Sequence, residues 1–173
     1  MSKIEVMSED LANKIAAGEV VEKTMNVVKE LVENSIDAKA TEIKINLIDS
    51  GVKEITVIDD GVGMDKDDAV LAFSRHATSK LKTIEDLFYI NSLGFRGEAL
   101  PSIASVSLVN MKTSNGTVGT EVEIDGGVIK EVKNCDLKKG TRITVKNLFY
   151  NTPVRLKYLR NLYTELANIT EYV

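Results

Sequence analysis

The sequence predicts an α+β fold, a two-layer sandwich with helices on one face of a mixed, mostly antiparallel sheet. Three observations carry that prediction. Helical apolar spacing is concentrated early in the chain, and strand-like alternation dominates the later part. Two strong hairpin signals, Asn115-Gly116 and Gly126-Gly127, punctuate the strands. Helices segregated from antiparallel strands fit this architecture better than a doubly wound sheet.

Taken in order, Ser8 is placed to cap a first helix, with Glu9 and Asp10 against its positive end and Leu11 and Ile15 on one face. A second helix follows over Thr24–Asp37, where Val27, Val28, Leu31, Val32 and Ile36 recur at helical spacing. In 41–48, Ile43, Ile45 and Leu47 alternate with polar residues, and 54–58 is a short apolar run. Both read as strands, joined by the turn Asp49-Ser50-Gly51. Residues 59–65 break regular structure, and Asp65 with Asp68 caps a helix over 66–73. A polar stretch at 74–82 leads to a short helix around Leu87. A loop at 91–97 then opens into a helix over 98–105. Strands are predicted at 106–113, 119–124, 128–132 and 140–147. A last helix begins near Pro153 and is still running at Val173, so the chain is expected to be a fragment of something longer.

The 173 residues suit one domain, 1–173. No stretch approaches the roughly 20 apolar residues of a membrane span, and the acidic N-terminus is unlike a signal peptide. A single Cys135 excludes an internal disulfide, and with a lone His76 it argues against a zinc centre. An intracellular, soluble, cytoplasmic protein is expected. The net charge is −4, yet 137–164 holds seven basic residues (Lys138, Lys139, Arg142, Lys146, Arg155, Lys157, Arg160) and no acidic one. Such a segment could face DNA phosphates or be a solvated surface.

Glu30, Asn34 and Asp37 lie within about 60° of one another on the second helix. A carboxylate there can polarise water, and an amide oxygen is a hard ligand suited to Mg²⁺. The same three residues also suit the solvated face of an amphipathic helix. Asp59-Asp60-Gly61-Val62-Gly63 follows a strand directly. Its glycines permit close backbone approach, and its carboxylate could accept a hydrogen bond from an exocyclic amine, or the segment is simply a tight turn. Gly94-Phe95-Arg96-Gly97-Glu98-Ala99-Leu100 opens a helix, where free N–H groups can cradle phosphate. Its GXXG also matches a KH nucleic-acid module, which would leave the helix stripe and Asp59 unexplained. Thr78, Ser79 and Lys80 add hydroxyls and a cation in a polar loop. No Walker A pattern is present.

In combination these segments resemble the MutL proteins. KIAAGEVV at 14–21, VKELVENSIDA at 28–38, DDGVGM at 59–64, RHATSK at 75–80, GFRGEAL at 94–100 and LFYNTPVR at 148–155 stand in the order typical of that family. The broader superfamily is the Bergerat-fold (GHKL) ATPases, with gyrase B and histidine kinases. The resemblance implies a Bergerat-type sandwich that binds ATP and Mg²⁺ and serves DNA mismatch repair. Glu30 would be the general base and Asn34 the Mg²⁺ ligand. Asp59 would bind the adenine amino group, with Gly63 close to the base and Thr141 supporting the aspartate through water. Residues 74–100 would form a lid, with Thr78, Ser79, Lys80 and Gly94, Phe95, Arg96, Gly97, Glu98, Ala99 and Leu100 nearest the phosphates. It further implies homodimerisation on ATP binding in the full-length protein. The partners it implies are DNA, a mismatch-recognition protein of the MutS type and a downstream nuclease or helicase.

The sequence departs from the family pattern at Lys23-Thr24-Met25, at Lys39 where glycine is frequent, and at Pro101 where a small residue is usual. The second subdomain that supplies a lysine to the γ-phosphate, and the C-terminal dimerisation domain, are expected to lie outside this chain. Weak hydrolysis by the chain alone follows. A DNA-binding or scaffold module with an inactive nucleotide pocket is the alternative.

Overall fold

The computed structural model describes residues 8, 21, 23–74, 99–153, 156, 169–170 and 172. The predicted first helix, most of the 74–98 stretch and most of the last helix fall outside them.

Helix α1 spans Thr24–Asp37. At its start Asn26 Oδ1 accepts the Lys23 N–H at 2.8 Å, satisfying one of the donors that a helix N-terminus leaves open. Its inner face is Thr24, Val27, Val28, Leu31 and Ser35, all buried. Ile36, expected on that stripe, is 49% exposed. It lies roughly 140° around the helix from Leu31, whereas Ser35 is only about 40° away and takes the inner position. Lys39, just past the helix, has φ +60°, the left-handed conformation that glycine takes without steric cost.

Among the described residues six strands follow, with two short helices and a 3₁₀ turn: β1 (Ile43–Ile48), the turn Asp49–Gly51, β2 (Glu54–Asp59), α2 (Lys66–Leu71), α3 (Ala99–Ser105), β3 (Leu108–Ser114), β4 (Gly119–Asp125), β5 (Val128–Cys135) and β6 (Gly140–Lys146). They form one sheet in the order β1-β2-β6-β3-β4-β5, and every described pairing is antiparallel. Asp65 caps α2 as expected, its carboxylate accepting the Asp68 N–H at 2.8 Å. Pro101 lies in the first turn of α3, buried, where its missing N–H leaves no hydrogen bond unmade.

The register sorts the sheet face that carries the core into three cross-strand rows. Ile45, Val57, Ile143, Met111, Val122 and Val132 form one. Leu47, Ile55, Val145, Val109, Ile124 and Ile129 form another. All of these except Ile129, which is exposed on the edge strand, pack with Val27, Val28 and Leu31 of α1 and with Ile103 and Ala104 of α3. Full burial of each such side chain is worth roughly 1.5–3 kcal/mol. The third row, at the end of the sheet beside α1's C-terminus, is polar over most of its length: Ile43, Asp59, Thr141, Thr113, Thr120 and Asn134. The fold thus builds a hydrophobic floor and leaves one polar edge on the same face.

Candidate nucleotide site

Asp59 is the last residue of β2 and sits directly opposite Thr141 on β6. Side chains so paired have Cβ atoms about 4.5–5.5 Å apart on one face. Two partners hold the carboxylate. Ser35 on α1 donates its hydroxyl to Asp59 Oδ2 at 2.7 Å, and the Gly61 N–H donates to Oδ1 at 2.9 Å. Each oxygen keeps a lone pair for a ligand.

The turn after Asp59 is locked on three sides. The Val62 N–H donates to the Ala38 carbonyl at 2.9 Å, tying it to the end of α1. A Cβ on Gly61 would lie 2.7 Å from that same carbonyl oxygen, and one on Gly63, at φ +66°, would lie 1.8 Å from the Ser114 carbonyl oxygen. Both glycines are therefore demanded by close backbone approach. The Met64 N–H donates to the buried Thr113 hydroxyl at 3.0 Å. Asp60 points the other way. Its carboxylate accepts from the Thr41 hydroxyl and from the Thr41 and Glu42 N–H groups. The hydrogen bonds from Thr41 and Glu42 hold its pKa down at about 2.

Of the residues singled out in the sequence, Asp59, Gly63 and Thr141 are brought together at the polar end of the sheet, with α1 alongside. Glu30, Asn34 and Asp37 are half-buried on α1, flanking its apolar face. The C-terminal Tyr172 lies near this flank: its hydroxyl is pushed up first by burial, then by the charges of Glu33 and Glu30. Ala99 is buried and Leu100 packs against the core. Thr78, Ser79, Lys80, Gly94, Phe95, Arg96, Gly97 and Glu98 lie outside the described residues. Two polar residues that the sequence reading passed over, Ser35 and Thr113, contact Asp59 and Thr141 respectively. Their signal was a hydroxyl at a position whose periodicity assigns it to the core face.

The opposite face of the sheet, which carries no helix among the described residues, is chemically different. A groove of about 530 Å³ lies there among Asn110, Lys112, Arg142, Thr144 and Lys146, with Glu54, Glu121, Glu123 and Asp125. It contains none of the polar-row residues. Cations and carboxylates are mixed here: Lys146 stands opposite Glu54 and Lys112 opposite Glu121, while Arg142 stands between Ile58 and Lys112. That is the pattern of a mixed, solvated surface rather than a uniform phosphate track.

Residues 22–151 match the family described as histidine kinase-, DNA gyrase B- and HSP90-like ATPase. The chain belongs to this ATPase family. Among members of this family, the DNA mismatch repair protein MutL of Bacillus pumilus and that of a Geobacillus species are each 56% identical over 174 residues. The match covers 100% of this chain and 28% of each relative, so the chain spans little more than a quarter of their length. The solved Aquifex aeolicus MutL ATPase domain complexed with ADP is 32% identical, with a TM-score of 0.66 over 88% of this chain and 54% of that one. A structure of the N-terminal domain of a DNA repair protein superposes with a TM-score of 0.76 at 31% identity, covering 92% of this chain and 46% of that one. The chain therefore matches the N-terminal ATPase region of MutL proteins in both sequence and fold, as its ordered motifs predicted.

Proposed function

We propose that this chain binds ATP with Mg²⁺ at the polar end of the sheet and is the hydrolysing module of a MutL-type DNA mismatch repair protein. The observation that carries the reading is the Asp59 carboxylate, held by Ser35 and Gly61 opposite the Thr141 hydroxyl. A fixed acceptor beside a hydroxyl suits an exocyclic amine next to a ring nitrogen, which is the edge of adenine.

Among the described residues no three acidic, histidine or cysteine side chains cluster as a metal cage. A divalent ion at this site would rest on the Asn34 amide oxygen, phosphates and water, the sparse coordination Mg²⁺ accepts. When bound, that ion would neutralise charge on the phosphates. Glu30, one turn before Asn34 on the same flank of α1, takes the proton from the attacking water. Residues 74–100 close over the triphosphate, with Thr78, Ser79, Lys80 and the 94–100 loop nearest to it. In the longer protein, closure promotes dimerisation and engagement of DNA, a MutS-type partner and a downstream nuclease or helicase in the cytoplasm. The γ-phosphate lysine comes from a further subdomain, so this chain alone turns over slowly.

Glu30→Ala tests the assignment: affinity for an ATP analogue with Mg²⁺ should stay within about twofold while the slow hydrolysis disappears. Hydrolysis at the parental rate by that variant would reject the role of Glu30. The scaffold reading is not favoured, because the cations of the groove on the opposite sheet face, Lys112, Lys130, Arg142 and Lys146, share it with the carboxylates of Glu54, Glu121, Glu123 and Asp125.

A further inference from the structure

The LFYNTPVR segment at 148–155 has no part in the proposed site, yet its backbone is held in an unusual shape. Asn147 has φ +53° and Phe149 φ +65°, and Phe149 is fully buried. A bulky residue rarely takes that left-handed conformation, and such strain persists only where the surrounding structure imposes it. Here the surroundings are the end of α3 and the end of β4. The Phe149 N–H donates to the Val106 carbonyl at 2.7 Å, and the Tyr150 hydroxyl donates to Asp125. Beside these anchors the Asn151 side chain reaches α3, its Nδ2 donating to the Ser105 carbonyl at 2.9 Å.

The last carbonyls of a helix have no partner within it. In α3 two of them are served from close by: the Ser105 hydroxyl donates to the Ser102 carbonyl at 2.7 Å and the Ser107 hydroxyl to the Ile103 carbonyl at 2.6 Å. The Ser105 carbonyl is served by Asn151, 46 positions further along the chain. That bond is made although Asn151 Oδ1 is left buried without a partner, an arrangement that native proteins mostly avoid. The amide is kept for its donor. Ala99 and every residue from Pro101 to Ser105 are buried, so α3 packs as one piece. It is about 10 Å long and starts where the 94–100 loop ends.

We infer that Asn151 is a positioning residue: by holding the Ser105 carbonyl it fixes where α3 lies along its own axis, and so how the 94–100 loop at the far end of that helix meets the phosphates. The inference rests on the nucleotide-binding reading and deepens it. The base end of the site is held separately, by Ser35 and Gly61 on the Asp59 carboxylate. Loss of the Asn151 donor therefore acts on phosphate binding and spares the base.

The test titrates adenosine, ADP and a non-hydrolysable ATP analogue with Mg²⁺ by calorimetry into the parent chain, Asn151→Asp and Asn151→Leu, with thermal melting to confirm folding. Aspartate keeps the shape and turns an acceptor toward the Ser105 carbonyl. Leucine removes the polar atoms at similar volume and carries the test if the aspartate variant does not fold. In the parent the phosphates should add affinity over adenosine. In a folded variant adenosine should bind within about twofold of the parent, while ADP and the ATP analogue weaken about tenfold, the worth of one hydrogen bond. Equal weakening of all three ligands, or a lowered melting temperature with parental affinities, is what a purely structural role gives and overturns the inference. A parent that binds adenosine as tightly as the ATP analogue overturns it too, while leaving base recognition standing. A parent that binds none of the three overturns both.

Discussion

The Ser35 hydroxyl lies 2.7 Å from Asp59 Oδ2 and within 3.1 Å of the Leu31 carbonyl one turn back on its own helix. This contact joins the inner face of α1 to the end of β2. With the Gly61 N–H on the other oxygen, the carboxylate is held at both ends and its orientation is fixed before any ligand arrives. Preorganisation of this kind raises affinity by removing the cost of ordering the group on binding.

Ser35→Ala should therefore lower affinity for an ATP analogue about three- to tenfold, the range of one net hydrogen bond. Calorimetry with the parent and variant side by side is the check. Unchanged affinity would mean that Gly61 alone orients the carboxylate.

Gly63→Ala should be more severe. Its new Cβ would meet the Ser114 carbonyl oxygen at 1.8 Å in a φ +66° conformation, so the turn must move away from β3. Strain of roughly 1–3 kcal/mol is expected, lowering Tm by at least about 2 °C in a chain of this size and abolishing measurable nucleotide binding. A variant with the parental melting curve would show that the turn is not pressed against Ser114.

Asp60 predicts a dependence on acid. Its folded pKa of about 2 is below the ordinary 3.8, so its contribution is complete above about pH 4. It is lost as pH falls from about 4 to 2. Asp60→Asn should flatten that part of the stability profile and loosen the start of β1, measured by denaturant unfolding at several pH values. An unchanged acid limb would contradict the Thr41–Asp60 hydrogen bonds.

Tyr150 predicts the opposite limb. Its hydroxyl donates to Asp125, and that bond, with burial second, pushes its pKa up to about 12. The stabilisation is full below pH 10 and lost between about 10 and 12. Tyr150→Phe should remove that alkaline step. Ultraviolet titration of the tyrosines provides the direct check, with one phenol absent from the late phase in the variant.

Much of this fold was legible because periodicity reports burial. Thr24–Asp37 was bounded correctly, and the alternation of Ile43, Ile45 and Leu47 gave β1 its inner face. β5 runs to Cys135, three residues past its expected end. It is an edge strand with Lys130, Glu131, Lys133 and Asn134 exposed, so it lacks the alternation that would mark it. The site was legible only in part. Asp59 and Thr141 are 82 positions apart in sequence, and nothing local shows that β6 inserts beside β2 rather than beside β5. Ser35 and Thr113 were hidden for the same reason. A hydroxyl on a buried face has meaning only once its partner across the sheet or helix is known.

The central claim is that the clamped Asp59 carboxylate receives the base of an adenine nucleotide. Calorimetric titration of a non-hydrolysable ATP analogue with Mg²⁺ into the chain and into Asp59→Asn tests it most directly. Saturable one-to-one binding by the chain, lost in Asp59→Asn while the melting curve is kept, is the predicted result. Equal binding by the two proteins, or no binding by either folded protein, would contradict the account.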